Sequence, residues 1–226
     1  MQRGRMKLKI YLFRHAQTYY NRAHRFTGWK DSKLTPFGRK QAKKIALLLK
    51  GKKIDMAFQS HLSRSKETLK EVLKFHPECR RVLTDDRIIE RSYGKLQGMS
   101  HNSYLKLKER EHCDVIRHWH NVDHLSRQEH QKATNLCRQD LHTIRRSYTT
   151  VPPDGESIMM VEKRVYNFIK DLLQLMRKEK VNAAISAHGN SMRPFRRYFE
   201  KLSVKEMMEL ENPWDDYFEY TIEVNE

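Results

Sequence analysis

The chain of 226 residues is poor in cysteine and in long apolar runs, and its acidic residues are outnumbered by its basic ones. Its three cysteines, Cys79, Cys113 and Cys137, are too few and too scattered for a disulfide framework or a CxxC metal knuckle, which points to reduced thiols. No stretch approaches ~18 consecutive apolar residues, which excludes a membrane-spanning helix. The opening MQRGRMKLKIYLFRH is basic but carries no apolar segment long enough for a signal peptide. Together these absences predict a soluble, cytoplasmic protein. The apolar fraction of 38% lies below the roughly 45–50% of an average globular chain. With 10% aromatics the chain is still too rich in core-forming residues for general disorder, so the deficit is expected in one polar region.

Lysine and arginine number 45 against 28 acidic residues, a formal charge of +17. Nucleic-acid binding, an anionic membrane surface and small anionic substrates all agree with that excess, as does plain solubility. No run of like charge dominates, so a dedicated nucleic-acid surface is the poorer reading. Lys43, Lys44, Lys50, Lys52 and Lys53 read as the solvated side of a helix.

Lys9–Phe13 (KIYLF) predicts a strand with Arg14-His15 at its carboxyl end. Thr35-Pro36 offers an N-cap and an N1 proline for a helix that turns Ile45, Leu48 and Leu49 to one face and stops at Gly51. Met56–Phe58 predicts a second strand, Ser63 the cap of a helix to about Phe75, and Val82-Leu83 and Ile88-Ile89 short extended pieces around a turn at Asp85-Asp86. Ser157 begins a long amphipathic helix. Val181–Ala187 is nearly all apolar, as in a parallel strand covered on both faces. It ends at His188-Gly189, with a helix starting at Asn190, and Tyr217–Val224 forms a last strand. Strands alternating with helices predict an α/β fold, a three-layer α/β/α arrangement around a mainly parallel sheet, in a single domain over 1–226. Residues 99–144, with seven of the twelve histidines and few apolar residues, read as a polar helical insertion covering the site as a lid.

Phosphoryl transfer through histidine needs a neutral imidazole whose second nitrogen is held by a hydrogen bond. It also needs inward-pointing cationic donors for the phosphoryl oxygens, and a carboxylic acid to protonate the leaving oxygen. Five segments supply such parts: LFRHAQTYYN (12–21), SHLSRSKET (60–68), IIERSYGKLQG (88–98), RRSYTTVPPDGES (145–157) and AHGNSMRP (187–194). In this order they resemble the histidine phosphatase superfamily, and most closely its cofactor-dependent phosphoglycerate mutase branch. The resemblance implies that His15 is the nucleophile, that Arg14, Arg64 and His188 bind the transferring phosphoryl group, and that Glu90 is the general acid and base. It further implies that Thr18, Asn21, Thr27 and Gly28 line the substrate entrance, and that Gly189 and Asn190 bring backbone to the phosphate.

Mutase or phosphatase is the finer question. Glu90-Arg91-x-Tyr93-Gly94 resembles the mutase ERHYG segment, and Arg145-Arg146-Ser147-Tyr148 resembles its RRSY segment, which implies substrate-binding roles for Arg91, Tyr93, Arg145 and Arg146. Against this, Ser92 stands where mutases have histidine, and His101 stands where their substrate-binding lysine is expected. The insertion precedes the paired arginines, and ENPWDDYFEY replaces the usual small-residue turn before the last strand. The resemblance therefore implies a mutase interconverting 2- and 3-phosphoglycerate, with 2,3-bisphosphoglycerate as phosphoryl donor and no metal. A phosphatase acting on another small phosphoester is the alternative, and a basic binding protein on the same fold stands behind both. The partner expected is a small phosphorylated substrate rather than a membrane or a nucleic acid, and a homo-oligomer is compatible with the sequence. His112, Cys113, His118, His120, His124 and Cys137 match no common zinc spacing. Trp29, Trp119 and Trp214 are expected in core or lid packing, and Arg196, Arg197 and Lys201 in solvent.

Overall fold

The computed structural model describes residues 5–225. A five-stranded sheet in the order β3-β2-β4-β1-β5 lies at its centre. β1 (Arg5–Arg14), β2 (Met56–Gln59), β3 (Arg81–Thr84) and β4 (Ala183–Ala187) are parallel, and β5 (Tyr217–Asn225) runs antiparallel along β1. β1 extends further back than its apolar run. Arg5–Lys9 pair with β5 alone, a partner supplied from the far end of the chain.

Side chains of β1 alternate between two cores, as the pleat of a strand requires. Leu8, Ile10 and Leu12 join Met56, Phe58 and Ile185 under helix α6 (Ile158–Glu179) and helix α7 (Gly189–Glu200). Tyr11 and Phe13 join Ala57 and Ala184 under α2 (Pro36–Leu49) and α3 (Ser63–Leu73). This double cover accounts for the continuous apolar character of β4, all five residues of which are buried.

α2 begins as expected: Thr35 Oγ1 accepts from the Gly38 N–H at 2.9 Å and Pro36 takes the first helical position. Its buried face is Ala42, Ile45, Ala46 and Leu49, while Leu48 is exposed, because a helical period puts 48 off the 42/45/46/49 stripe. Ser63 is the first residue of α3 rather than its cap. Its N–H and hydroxyl both reach the carboxylate of Asp31, which terminates the helix from a distant loop. Ile88 lies in a 3-10 turn (Asp86–Ile88) instead of an extended piece. α6 buries Ile158, Val161, Val165, Phe168, Ile169, Leu172 and Leu173 on one face, as its amphipathic pattern requires, and α7 starts one residue early, at Gly189, with His188 as its N-cap. Two helices are short, α1 (Tyr19–Arg22) and α8 (Val204–Glu209).

Residues 101–146 form two helices of twenty residues each, α4 (His101–His120) and α5 (Arg127–Arg146), packed on one another. Their shared face is small and polar: Cys113, Ala133 and Cys137 are buried, and His112–Asp140 and Thr134–Glu109 hydrogen-bond across it. That composition explains why the sequence shows no strong apolar stripe. The base of the pair is anchored where Tyr104, Leu141 and Ile144 meet Phe26, Tyr93 and Leu96. No helix among the described residues is long and apolar enough to cross a membrane.

Candidate active site

Arg14 and Ala187 are register partners at the carboxyl ends of β1 and β4, and the His15 N–H donates to the Ala187 carbonyl at 3.0 Å. The next residue on each strand is therefore a histidine, and the His15 and His188 rings come to 4.9 Å between centroids. Both are fully buried beyond the strand ends, where ligands of open parallel sheets bind.

His15 Nδ1 lies 2.8 Å from the Ala16 carbonyl. A carbonyl only accepts, so Nδ1 carries the proton and Nε2 keeps its lone pair. Burial, with Arg64 and Arg14 alongside, holds the imidazole well below the ordinary histidine range, so it is neutral at physiological pH. Burial and the same arginine, with His15 next, depress His188 likewise. His188 Nε2 sits 2.7 Å from Ser60 Oγ, and its Nδ1 is buried without a partner.

Arg64 is fully buried and donates to the Gly28 and Lys30 carbonyls at 2.7 and 3.0 Å. Arg14 donates to the Asn212 carbonyl at 3.1 Å and stacks on the Trp214 ring at 4.5 Å. The Nε atoms of both arginines are buried and unpartnered. Burial pushes each guanidinium down to about 10, which still leaves it charged at neutral pH. With His188 Nδ1 this makes three orphaned polar atoms around the two rings. A buried donor left unmatched costs on the order of 1–3 kcal/mol, a cost that a tetrahedral oxyanion would remove. A Cβ on Gly189 would come 3.2 Å from the Arg14 guanidinium, so a larger residue there would press that group aside by a few tenths of an ångström.

Glu90 is buried, and its Oε1 accepts from the Arg91 and Asn190 N–H groups at 2.8 and 3.1 Å. Its backbone carbonyl is held by Trp29 Nε1 and by Arg164 from α6, the latter also paired with Glu156. Ligand atoms of His15, Glu90 and His188 lie within 4.8 Å of one another, close enough for a metal. The two guanidinium groups beside them make this position favour an anion instead.

A cavity of about 270 Å³ opens beside Arg14, Glu90 and Gly189; His15, Arg64 and His188 are not among the residues that line it. Of the residues predicted for it, Asn21, Thr27, Gly28, Tyr93, His101, Arg145, Arg146, Gly189 and Asn190 line it together with Arg14 and Glu90. Two do not. Thr18 is buried as the N-cap of α1, exchanging hydrogen bonds with Asn21, and so places Asn21 rather than facing the cavity. Arg91 is fully buried, donating to the carbonyls of Ile144, Thr150 and Glu156, which ties the end of α5 and the following loop to the Glu90 segment. Burial, with Arg145 and His24 alongside, pushes His101 down to about 4, so it is a neutral group at the distal end.

Several lining residues were not foreseen. Arg193 is buried on α7, anchored to the Met207 and Met208 carbonyls. His24, Arg25 and Phe26 come from the loop after α1, and Glu211, Asn212 and Trp214 from the segment before β5. In sequence ENPWDDYFEY is only a departure from the mutase pattern, because nothing local indicates that it crosses the site. Arg196 and Arg197, expected in solvent, are paired with Glu200 and Glu162.

The family model described as histidine phosphatase superfamily (branch 1) matches residues 10–135 and 117–222. A 2,3-bisphosphoglycerate-dependent phosphoglycerate mutase of Parvibaculum lavamentivorans is 31% identical, covering 89% of this chain and 84% of its own. One from Pseudoalteromonas atlantica is 27% identical, over 87% and 86%. Among solved structures, a mycobacterial glucosyl-3-phosphoglycerate phosphatase superposes with a TM-score of 0.69 at 20% identity, covering 96% of this chain and 91% of that one.

Proposed function

The chain belongs to the histidine phosphatase superfamily, and from that premise we propose that it transfers phosphoryl groups through a phosphohistidine at His15, interconverting 2- and 3-phosphoglycerate. The observation that carries the mutase reading is the position of Arg145 and Arg146. Both face the same cavity as Arg14 and Glu90, where a second anionic group of the substrate would lie.

The phosphate of the substrate sits against Arg14, Arg64 and His188, supplying the partners that Arg14 Nε, Arg64 Nε and His188 Nδ1 lack. His15 Nε2 directs its lone pair at phosphorus, and the bond to the ester oxygen breaks as the bond to nitrogen forms. Glu90 gives its proton to that oxygen. In the mutase cycle His15 is already charged when the monophosphate binds. Glu90 takes the proton from its free hydroxyl as that oxygen attacks phosphohistidine, and the substrate, then carrying two phosphates, returns the original one to His15 by the step just described. The guanidinium groups are already oriented by carbonyls and by Trp214, so they meet the developing charge without reorganising. Bound 2,3-bisphosphoglycerate would supply the phosphoryl group that first charges His15.

One observation favours hydrolysis of a different phosphoester instead. His101 is neutral where a mutase has lysine, which loosens the hold on a carboxylate. An assay converting 3- to 2-phosphoglycerate, with and without the bisphosphate and beside p-nitrophenyl phosphate hydrolysis, separates the two. The mutase reading expects isomerisation that depends on the bisphosphate. Hydrolysis without isomerisation rejects it and leaves a phosphatase.

A further inference from the structure

The segment joining α8 to β5, residues 210–216, is pinned to the phosphate end of the cavity by its backbone and by Asn212. Asn212 Nδ2 donates to the Gly189 carbonyl at 2.9 Å, and its own carbonyl accepts from Arg14 at 3.1 Å. The Glu211 carbonyl accepts from Arg196 at 3.1 Å. The side chain of Glu211 takes no part in this anchoring. It turns to the cavity and pairs with Arg146 Nη2 at 2.9 Å. The carboxylate is 78% exposed and Arg146 32%, so the pair stands at the mouth, in water. The Arg145 side chain makes no hydrogen bond or ion pair among the described residues.

Two arginines thus face the distal end, and one of them is already engaged by an anion of the protein's own. Its field also reaches Arg14 and Arg193. We propose that Glu211 is a specificity-determining residue, which lowers the affinity for a second anionic group on the substrate relative to the phosphate that reacts. This rests on the reading that Arg145 and Arg146 receive that second group. An incoming carboxylate or phosphate must displace Glu211 from Arg146 and then remain beside it. Displacement from an exposed pair is easy, and the lasting effect is repulsion between like charges partly screened by water. The reactive phosphate lies deeper, among the half-buried Arg14 and the fully buried Arg64 and His188, and is affected less.

Titration calorimetry with 2,3-bisphosphoglycerate and with inorganic phosphate, on the wild type, Glu211→Gln and Glu211→Asp, tests this. Glu211→Gln keeps the backbone contacts and removes the charge. It should tighten bisphosphate binding roughly three- to tenfold and phosphate binding by less than about twofold, with Glu211→Asp close to wild type. In the isomerisation assay the same change should appear in KM more than in kcat. Equal affinity of wild type and Glu211→Gln for the bisphosphate, weaker binding by the variant, or equal tightening for both ligands overturns the proposal. Phosphate binding without bisphosphate binding in any of the three proteins removes the distal anion subsite itself, and with it both this inference and the mutase reading. Matched melting temperatures show that the variants are folded.

Discussion

A histidine that attacks phosphorus must be neutral, while the phosphate it attacks must be surrounded by positive charge. His15 suits both demands because burial, and after it the charges of Arg64 and Arg14 that the proposed reading sets against the phosphate, disfavour its protonation. The Ala16 carbonyl then selects the tautomer that leaves Nε2 free. Glu90 is fixed by two backbone N–H groups on one oxygen, contacts that a glutamine oxygen can retain. Glu90→Gln is therefore a test of the proton and not of the geometry. It should lower kcat by roughly 10²–10⁴-fold for a substrate with a poor leaving group, and less for p-nitrophenyl phosphate, whose leaving group needs little protonation. A loss under tenfold with phosphoglycerate assigns the acid elsewhere. At this scale Arg14, His15, Glu90 and His188 were legible because each sits next to a strand end or in a distinctive short motif. Arg193 and Glu211 were not, since their place depends on where α8 and residues 210–216 run.

Elements position groups by where they end. The carboxyl end of α5 presents Arg145 and Arg146, and Arg91 secures it through the Ile144 carbonyl. Replacing both arginines by alanine should reduce kcat/KM for phosphoglycerate by about 10²-fold, taking charge-assisted hydrogen bonds at about 1.5–3 kcal/mol each with only part of that expressed. Hydrolysis of p-nitrophenyl phosphate should fall by only a few-fold, and equal losses in the two assays would contradict the role given to the pair. The helices and central strands were readable from capping residues and apolar period, as Thr35-Pro36 and the α6 stripe illustrate. What escaped was set by distant partners. β5 lengthens β1, Asp31 starts α3, and Cys113, Ala133 and Cys137 join α4 to α5 through a face too small to mark the sequence.

For the molecule as a whole, the buried histidines link folding to pH. His15 and His188 are held well below the ordinary value near 6.5, and His101 is pushed down to about 4. Below pH 6.5 the unfolded chain binds protons that the folded chain refuses, so their contribution is complete above 6.5 and is lost as the pH falls toward the folded values. Each fully buried group gives a slope of up to about 1.4 kcal/mol per pH unit in that window, and the half-buried His101 less. The melting temperature should fall by several degrees between pH 7 and pH 5, before the carboxylates titrate. A flat or rising profile would show that these rings are not buried in their neutral form.

The central claim is covalent, so it is tested by looking for the covalent species. Wild-type protein mixed with phosphoglycerate or its bisphosphate and quenched in alkali should carry one phosphoryl-mass adduct in the intact mass spectrum. That adduct should be lost in acid, map to the peptide containing His15, and be absent from a folded His15→Ala variant that has lost turnover. An adduct on another residue, or full turnover by His15→Ala, would contradict the mechanism.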